Sequence, residues 1–158
     1  ITTATGVLIG KSLGRNELDD ARKEKTWMLS AAIIFGCIMC LVGVVTVLLV
    51  PVVFGNLSID AQNICRAMLL LMALFMPLWT FVNTQLAVCR AGGDTKVGFL
   101  VDGGTTAVMI PMLLILAFFT NASPVMMYFG VKALDVGKII VATHEMKKER
   151  WVVNLSNA

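Results

Sequence analysis

Arg90-Ala-Gly-Gly-Asp-Thr-Lys96, continuing as Val97-Gly-Phe-Leu-Val-Asp102, is the stretch whose reading decides the fold. Two adjacent glycines followed by Asp94 and Thr95 predict a tight turn, because Gly admits positive φ and short polar side chains bond the local backbone. Arg90 and Lys96 flank that turn and are placed to hold it at a headgroup surface. On both sides the chain is apolar enough to cross a bilayer. The turn therefore reads as the short link between two antiparallel spans.

Composition agrees. The 158 residues are 58% hydrophobic with a mean hydropathy of +0.84, outside the range of an ordinary soluble domain. A net charge of +3 is too small and dispersed for a nucleic-acid footprint, so no nucleic-acid partner is expected. The fold class expected is all-α, a polytopic transmembrane helix bundle, with the lipid bilayer as its first partner. Because the chain opens at Ile1 inside an apolar pattern with no signal peptide ahead of it, it is expected to be a fragment.

Working outward, residues 1–10 are too short to span and read as the end of an earlier helix. Lys11 to Lys25 holds five basic and four acidic residues and reads as a solvated connection with a short amphipathic helix. Four spans follow, at 27–54, 67–89, 97–120 and 122–142. The first has no charge in 28 residues, with Trp27 expected at one interface and Pro51 near the other end. Its Cys37 and Cys40 form a C-x-x-C pattern without a second pair or a nearby His, so helix packing is the reading favoured over metal or redox chemistry.

The second span carries Pro77, Trp79, Thr80, Asn83, Thr84 and Gln85. Asn83 and Gln85 are costly against lipid and are expected to face protein or a water-filled cavity, with Trp79 beside them. Pro77 makes a bend plausible. The third span is interrupted only by Asp102, with Gly103, Gly104 and Pro111 suggesting close packing and a bend. The fourth, the least hydrophobic, contains Lys132, Asp135 and Lys138 at i, i+3 and i+6, within an arc of roughly 120°. Depth from the shared end of the two helices pairs Asp102 with Lys138. These four charges are read first as struts between helices and second as participants in coupling or gating.

Basic residues settle the expected orientation. Ten lie in the connections after Gly10, at Arg90 to Lys96 and after His144, and none lies in the opposite connections, Gly55 to Asn63 and Thr120 to Ser123. That alternation predicts a multi-pass cell-membrane protein whose C-terminus is cytoplasmic, with Arg66 snorkelling outward and Trp151 at the interface. Asn56-Leu-Ser58 and Asn121-Ala-Ser123 match the glycosylation pattern but lie against the membrane. His144 and the ten Met residues are read as incidental to chemistry.

Three stretches in this order resemble bacterial multidrug and toxic compound extrusion transporters. Gly6-Val-Leu-Ile-Gly-Lys-Ser-Leu-Gly14, followed by the charged run to Lys25, is similar to the end of the family's eighth helix and its loop. Arg90-Ala-Gly-Gly-Asp-Thr-Lys96 with Asp102 is similar to the turn that follows the tenth. Leu134-Asp135-Val-Gly-Lys138 and Lys147-Lys148-Glu-Arg-Trp151-Val-Val-Asn-Leu155 are similar to the twelfth helix and closing tail. The resemblance implies part of the second lobe of a two-lobe, twelve-helix transporter that alternates access around a central cavity. It implies amphipathic cationic small molecules as substrates, Na+ or H+ as coupling ion in place of any cofactor, and the N-terminal lobe of the same chain as partner. Where some members carry a coupling carboxylate in the tenth helix, this sequence has Trp79 and Thr80. With one His and no acid–base pair in a soluble pocket, no enzyme, catalytic residue or metal site is expected. A non-transporting helical membrane subunit, a truncated remnant and a related lipid-precursor flippase are the alternatives.

Overall fold

A computed structural model describes residues 1–56, 58–119 and 123–152, apart from the side chain of Phe119. Asn121 of the second glycosylation pattern, the ends of the third and fourth expected spans at Thr120 and Ala122, and the tail after Val152 lie outside the described residues.

The described residues form five helices: α1 (Thr2–Gly14), α2 (Leu18–Val53), α3 (Ile59–Ala91), α4 (Thr95–Phe119) and α5 (Pro124–Lys147). Three of them, α2, α3 and α4, are long and apolar enough to cross a membrane. The protein is an all-α, membrane-type bundle. The 24 residues of α5 form a helix over the fourth expected span, but its charges keep it outside that apolar set.

The helices are longer than the apolar stretches within them. Lys11 to Lys25 is not a loop carrying a separate short helix. α1 continues to Gly14, and α2 begins at Leu18 and runs unbroken through Val53. Three residues suffice for the reversal because Asn16 takes a left-handed φ of 61°, which Asn tolerates better than most. Asp19 and Asp20 occupy the first turn of α2, where carboxylates favour the helix dipole, and each pairs one turn on, with Arg22 and Lys23, both at 3.1 Å. At 36 residues α2 is about 54 Å long, so its charged first turns extend past about 30 Å of hydrocarbon. α3 likewise passes through Pro77 without interruption.

Small residues make the α2–α3 seam. A Cβ on Gly36 would stand 2.5 Å from Pro77 Cα, and one on Gly43 would stand 2.7 Å from Ala73 Cβ. Ala32, Gly36 and Ala73 are buried along the same line. Lipid offers no hydrophobic drive between helices, so close backbone approach at small residues supplies the dispersion contact instead. The helix-packing role assigned to Cys37 and Cys40 falls to these residues. Cys37 is exposed and Cys40 half-buried, and both are free thiols.

The dense core lies at one end of the bundle. Ile9 and Leu13 of α1, Ala21 of α2, Val82, Leu86, Val88 and Cys89 of α3, Val97 and Val101 of α4, and Ala142 and Met146 of α5 gather around Trp151. The tryptophan is 1% exposed and is part of this core. The segment after α5 folds back under the bundle, and Trp151 donates its indole N–H to the Met146 carbonyl at 3.3 Å. The Lys25 ammonium stands 5.5 Å from the Trp151 ring centroid, and Arg22 pairs with Glu149 at 2.9 Å. Lys25 on the ring and Arg22 on Glu149 tie the first turns of α2 to this segment.

The two glycines of the turn serve different ends. Gly93 adopts φ +83°, whereas Gly92 is buried with its Cα against the Trp151 backbone, so a Cβ there would stand 2.0 Å from the Trp151 carbonyl oxygen. Gly92→Ala and Gly36→Ala are each expected to lower stability by about 1–3 kcal/mol through overpacking. Gly104→Ala, which meets nothing within 4 Å, is expected to leave stability unchanged or slightly raised. Thermal unfolding of the three variants in detergent tests this order, and equal midpoints for all three would contradict it.

Candidate functional site

Five charged side chains from three helices form one alternating ladder. Arg90, in the last turn of α3, reaches Asp102 of α4 at 3.5 Å. Asp102 meets Lys138 of α5 at 3.6 Å, the pair expected from matched depth. Lys138 also lies 3.6 Å from Asp135, which in turn meets Lys132 at 3.4 Å. Lys132, Asp135 and Lys138 share a helix face, as their spacing requires.

Local structure explains the assembly. The Gly92–Gly93 turn sets α4 back along α3, and Gly98 clears room for the arginine: its Cβ position would lie 3.1 Å from Arg90 Nε. Arg90 therefore lies along α4, still exposed, as well as flanking the turn. Its role was legible in principle, since an Arg side chain spans a helical turn and the same depth matching that joins Asp102 to Lys138 also brings Arg90 within reach. The energetic reason for the ladder is plain: an unpaired Lys or Asp at the centre of a membrane helix costs roughly 2.5–3.5 kcal/mol. Each carboxylate here faces two cations. Three cations against two carboxylates leave one positive charge over.

The ladder walls a small cavity of about 70 Å³, with Trp79 and Asn83 of α3 on one side and Asp102, Asp135 and Lys138 on the other. Asn83 turns its amide onto the α3 backbone, donating to the Trp79 carbonyl at 2.8 Å. Lys132, one turn further from the core, borders a second cavity of about 200 Å³ with Met72, Phe75, Met76 and Trp79. It also stands 5.6 Å from the Tyr128 ring centroid.

Gln85 does not join this site. It is 0% exposed and buried between α3 and α5, where its amide donates to Thr143 Oγ1 at 2.9 Å. Two residues along a helix separate Gln85 from Asn83 by about 200°, so the two cannot face one cavity. Its carbonyl oxygen has no hydrogen-bond partner among the described residues. Thr143, its partner, carried no signal in sequence beyond being a small polar residue in a span.

Unequal burial sets unequal consequences. Asp102 is half exposed, and its loss leaves Lys138 still facing Asp135. Asp135 is 21% exposed and is the one carboxylate that meets Lys132 among the described residues. Asp135→Asn is therefore expected to destabilise by about 1–3 kcal/mol, with Asp102→Asn costing about 1 kcal/mol or less. Adding Lys132→Met to Asp135→Asn should recover part of the loss, because the uncompensated charge goes with it. Thermal unfolding in detergent measures all three, and a larger loss for Asp102→Asn would reverse the ranking.

Comparison with protein-family models, with curated proteins and with solved structures finds no match for this chain.

Proposed function

We propose that the chain is part of a secondary-active antiporter that exports amphipathic organic cations in exchange for Na+ or H+, in the manner of the multidrug and toxic compound extrusion transporters. The observation that carries this reading is the charge ladder. Five ionisable groups line up across α3, α4 and α5 beside a cavity bearing Trp79 and Asn83, and ionisable groups inside a membrane bundle mark pathways as well as struts. The three ordered sequence motifs and the alternation of basic connections support it. In this reading α5 is the fourth span, the basic end and the C-terminus are cytoplasmic, and the protein is a multi-pass component of the cell membrane. Inward movement of one charge through 100 mV supplies about 2.3 kcal/mol, enough for accumulation of tens-fold.

The remaining lobe has a defined part. A cavity of about 70 Å³ is well below the roughly 300 Å³ at which small-molecule pockets begin. The substrate chamber in this proposal forms between this helix set and an N-terminal lobe, with the exposed Trp79 ring on the facing surface. The same small cavity favours one second reading, a helical membrane subunit that transports nothing.

The test uses the complete reading frame that contains this chain, expressed in cells lacking their own efflux pumps and loaded with a fluorescent cationic dye. Energised efflux is expected, and Trp79→Ala with Asn83→Ala should lower it about tenfold at equal membrane abundance. A frame that expresses in the membrane and leaves dye retention unchanged would sink the antiporter reading in favour of the subunit.

A further inference from the structure

The basic end of the bundle carries a cleft separate from the ladder. It is open, about 750 Å³, and lies between the α3–α4 turn and the segment that follows α5. Lys96, Lys148 and Arg150 supply its cations and Asp94 and Glu145 its carboxylates. Lys148 is taken up by Glu145, whose carboxyl it holds below the usual range by hydrogen bonding and charge. Lys96 and Arg150 are exposed, and neither forms an ion pair among the described residues. Three cations against two carboxylates leave the cleft one net positive charge, with the Arg150 charge also acting on the Glu145 carboxyl.

Its floor is different in character. Val97 and Leu100 line the cleft where α4 leaves it, and Leu100 is 57% exposed. Leu100, Gly104, Ala107, Pro111, Leu114 and Phe118 fall within a narrow stripe of α4, and all six are exposed. A cationic cleft at the mouth of an apolar stripe, on a helix long enough to cross a bilayer, has the shape of a lipid: charge at the top, hydrocarbon below. Basic pockets between helices at a membrane surface bind phosphate-bearing headgroups, each Lys or Arg strengthening the attraction.

We propose that this cleft seats the phosphodiester of an anionic glycerophospholipid between Lys96 and Arg150, with an acyl chain lying along the Leu100–Phe118 stripe of α4. A singly charged phosphodiester matches the single surplus charge, and the stripe distinguishes a lipid from free phosphate. Because Trp151 and the Gly92–Gly93 turn fix the two sides of the cleft, the bound lipid bridges the α3–α4 turn to the end of α5.

Native mass spectrometry of the detergent-solubilised protein tests the proposal with phosphatidylglycerol and phosphatidylcholine carrying the same dioleoyl chains. Phosphatidylglycerol is expected to bind at least about tenfold more tightly, and Lys96→Gln with Arg150→Gln should remove that preference. Lys11→Gln with Lys23→Gln, which removes two charges from the same end outside the cleft, should keep it. Helix content and unfolding midpoint should match wild type in both double variants, since all four side chains project outward. Equal binding of the two lipids, equal loss in both double variants, or full displacement by millimolar inorganic phosphate would each overturn the proposal.

Discussion

Lys138 is held between two carboxylates on different helices, 3.6 Å from Asp102 on α4 and 3.6 Å from Asp135 on its own helix. Much of the arrangement follows from the need to keep such charges out of a low-dielectric surround. α5 is too polar to stand in hydrocarbon alone, so it is tied to α4 through Asp102 and, through Arg90, to α3. The ladder has no slack carboxylate: every acidic group in it faces two bases. Replacing the ladder by apolar side chains could give an equally stable bundle, since well-packed hydrophobes often match buried ion pairs. What the charges add is a fixed depth and rotation for α5, because a shift of one turn would part Lys138 from Asp102, the ladder contact that crosses from α5 to α4.

Packing divides along the length of the bundle. At the basic end, α1, the start of α2, the end of α3, the start of α4 and the end of α5 close around Trp151. Away from that end the side chains are largely exposed and apolar, suited to lipid rather than to each other. There α2 lies on α3 through Gly36 and Gly43, where a Cβ has no room, and α5 lies against both α3 and α4. A Cβ on Gly130 would meet Met112 and Leu116 of α4 at ordinary contact distances of 3.5 and 3.6 Å. At the α2–α3 seam glycine serves close approach where burial offers little drive.

The helical architecture was legible because its signals are long: 28 uncharged residues admit few readings, and a Gly-Gly-Asp-Thr turn between two such stretches fixes a reversal. Depth matching found the Asp102–Lys138 pair because helical rise converts position into distance. It stopped short of Arg90, whose exposed side chain lies over Gly98 and reaches Asp102. Gln85 and Asn83 were grouped by polarity although helical periodicity separates them. The burial of Trp151 carried no local signal, because the residues that enclose it, from Ile9 and Leu13 to the Gly92 turn, come from distant parts of the chain. Local patterns reach as far as one helix and its neighbour, and the burial of Trp151 depends on a return beyond that range.

The one-ended core has a mechanical consequence. α1, the start of α2, the end of α3, the start of α4 and the end of α5 are clamped in one cluster around Trp151, and each long helix leaves it as a cantilever. Displacement of a clamped beam grows with distance from the clamp, so any bending is smallest at the Gly92–Gly93 turn and largest at the far tips. The ladder ties α3, α4 and α5 together close to the clamp, and the cavity bordered by Lys132 and Trp79 lies between α3 and α5 further along the lever. Charge contacts and cavity are thus set at different distances from one fulcrum.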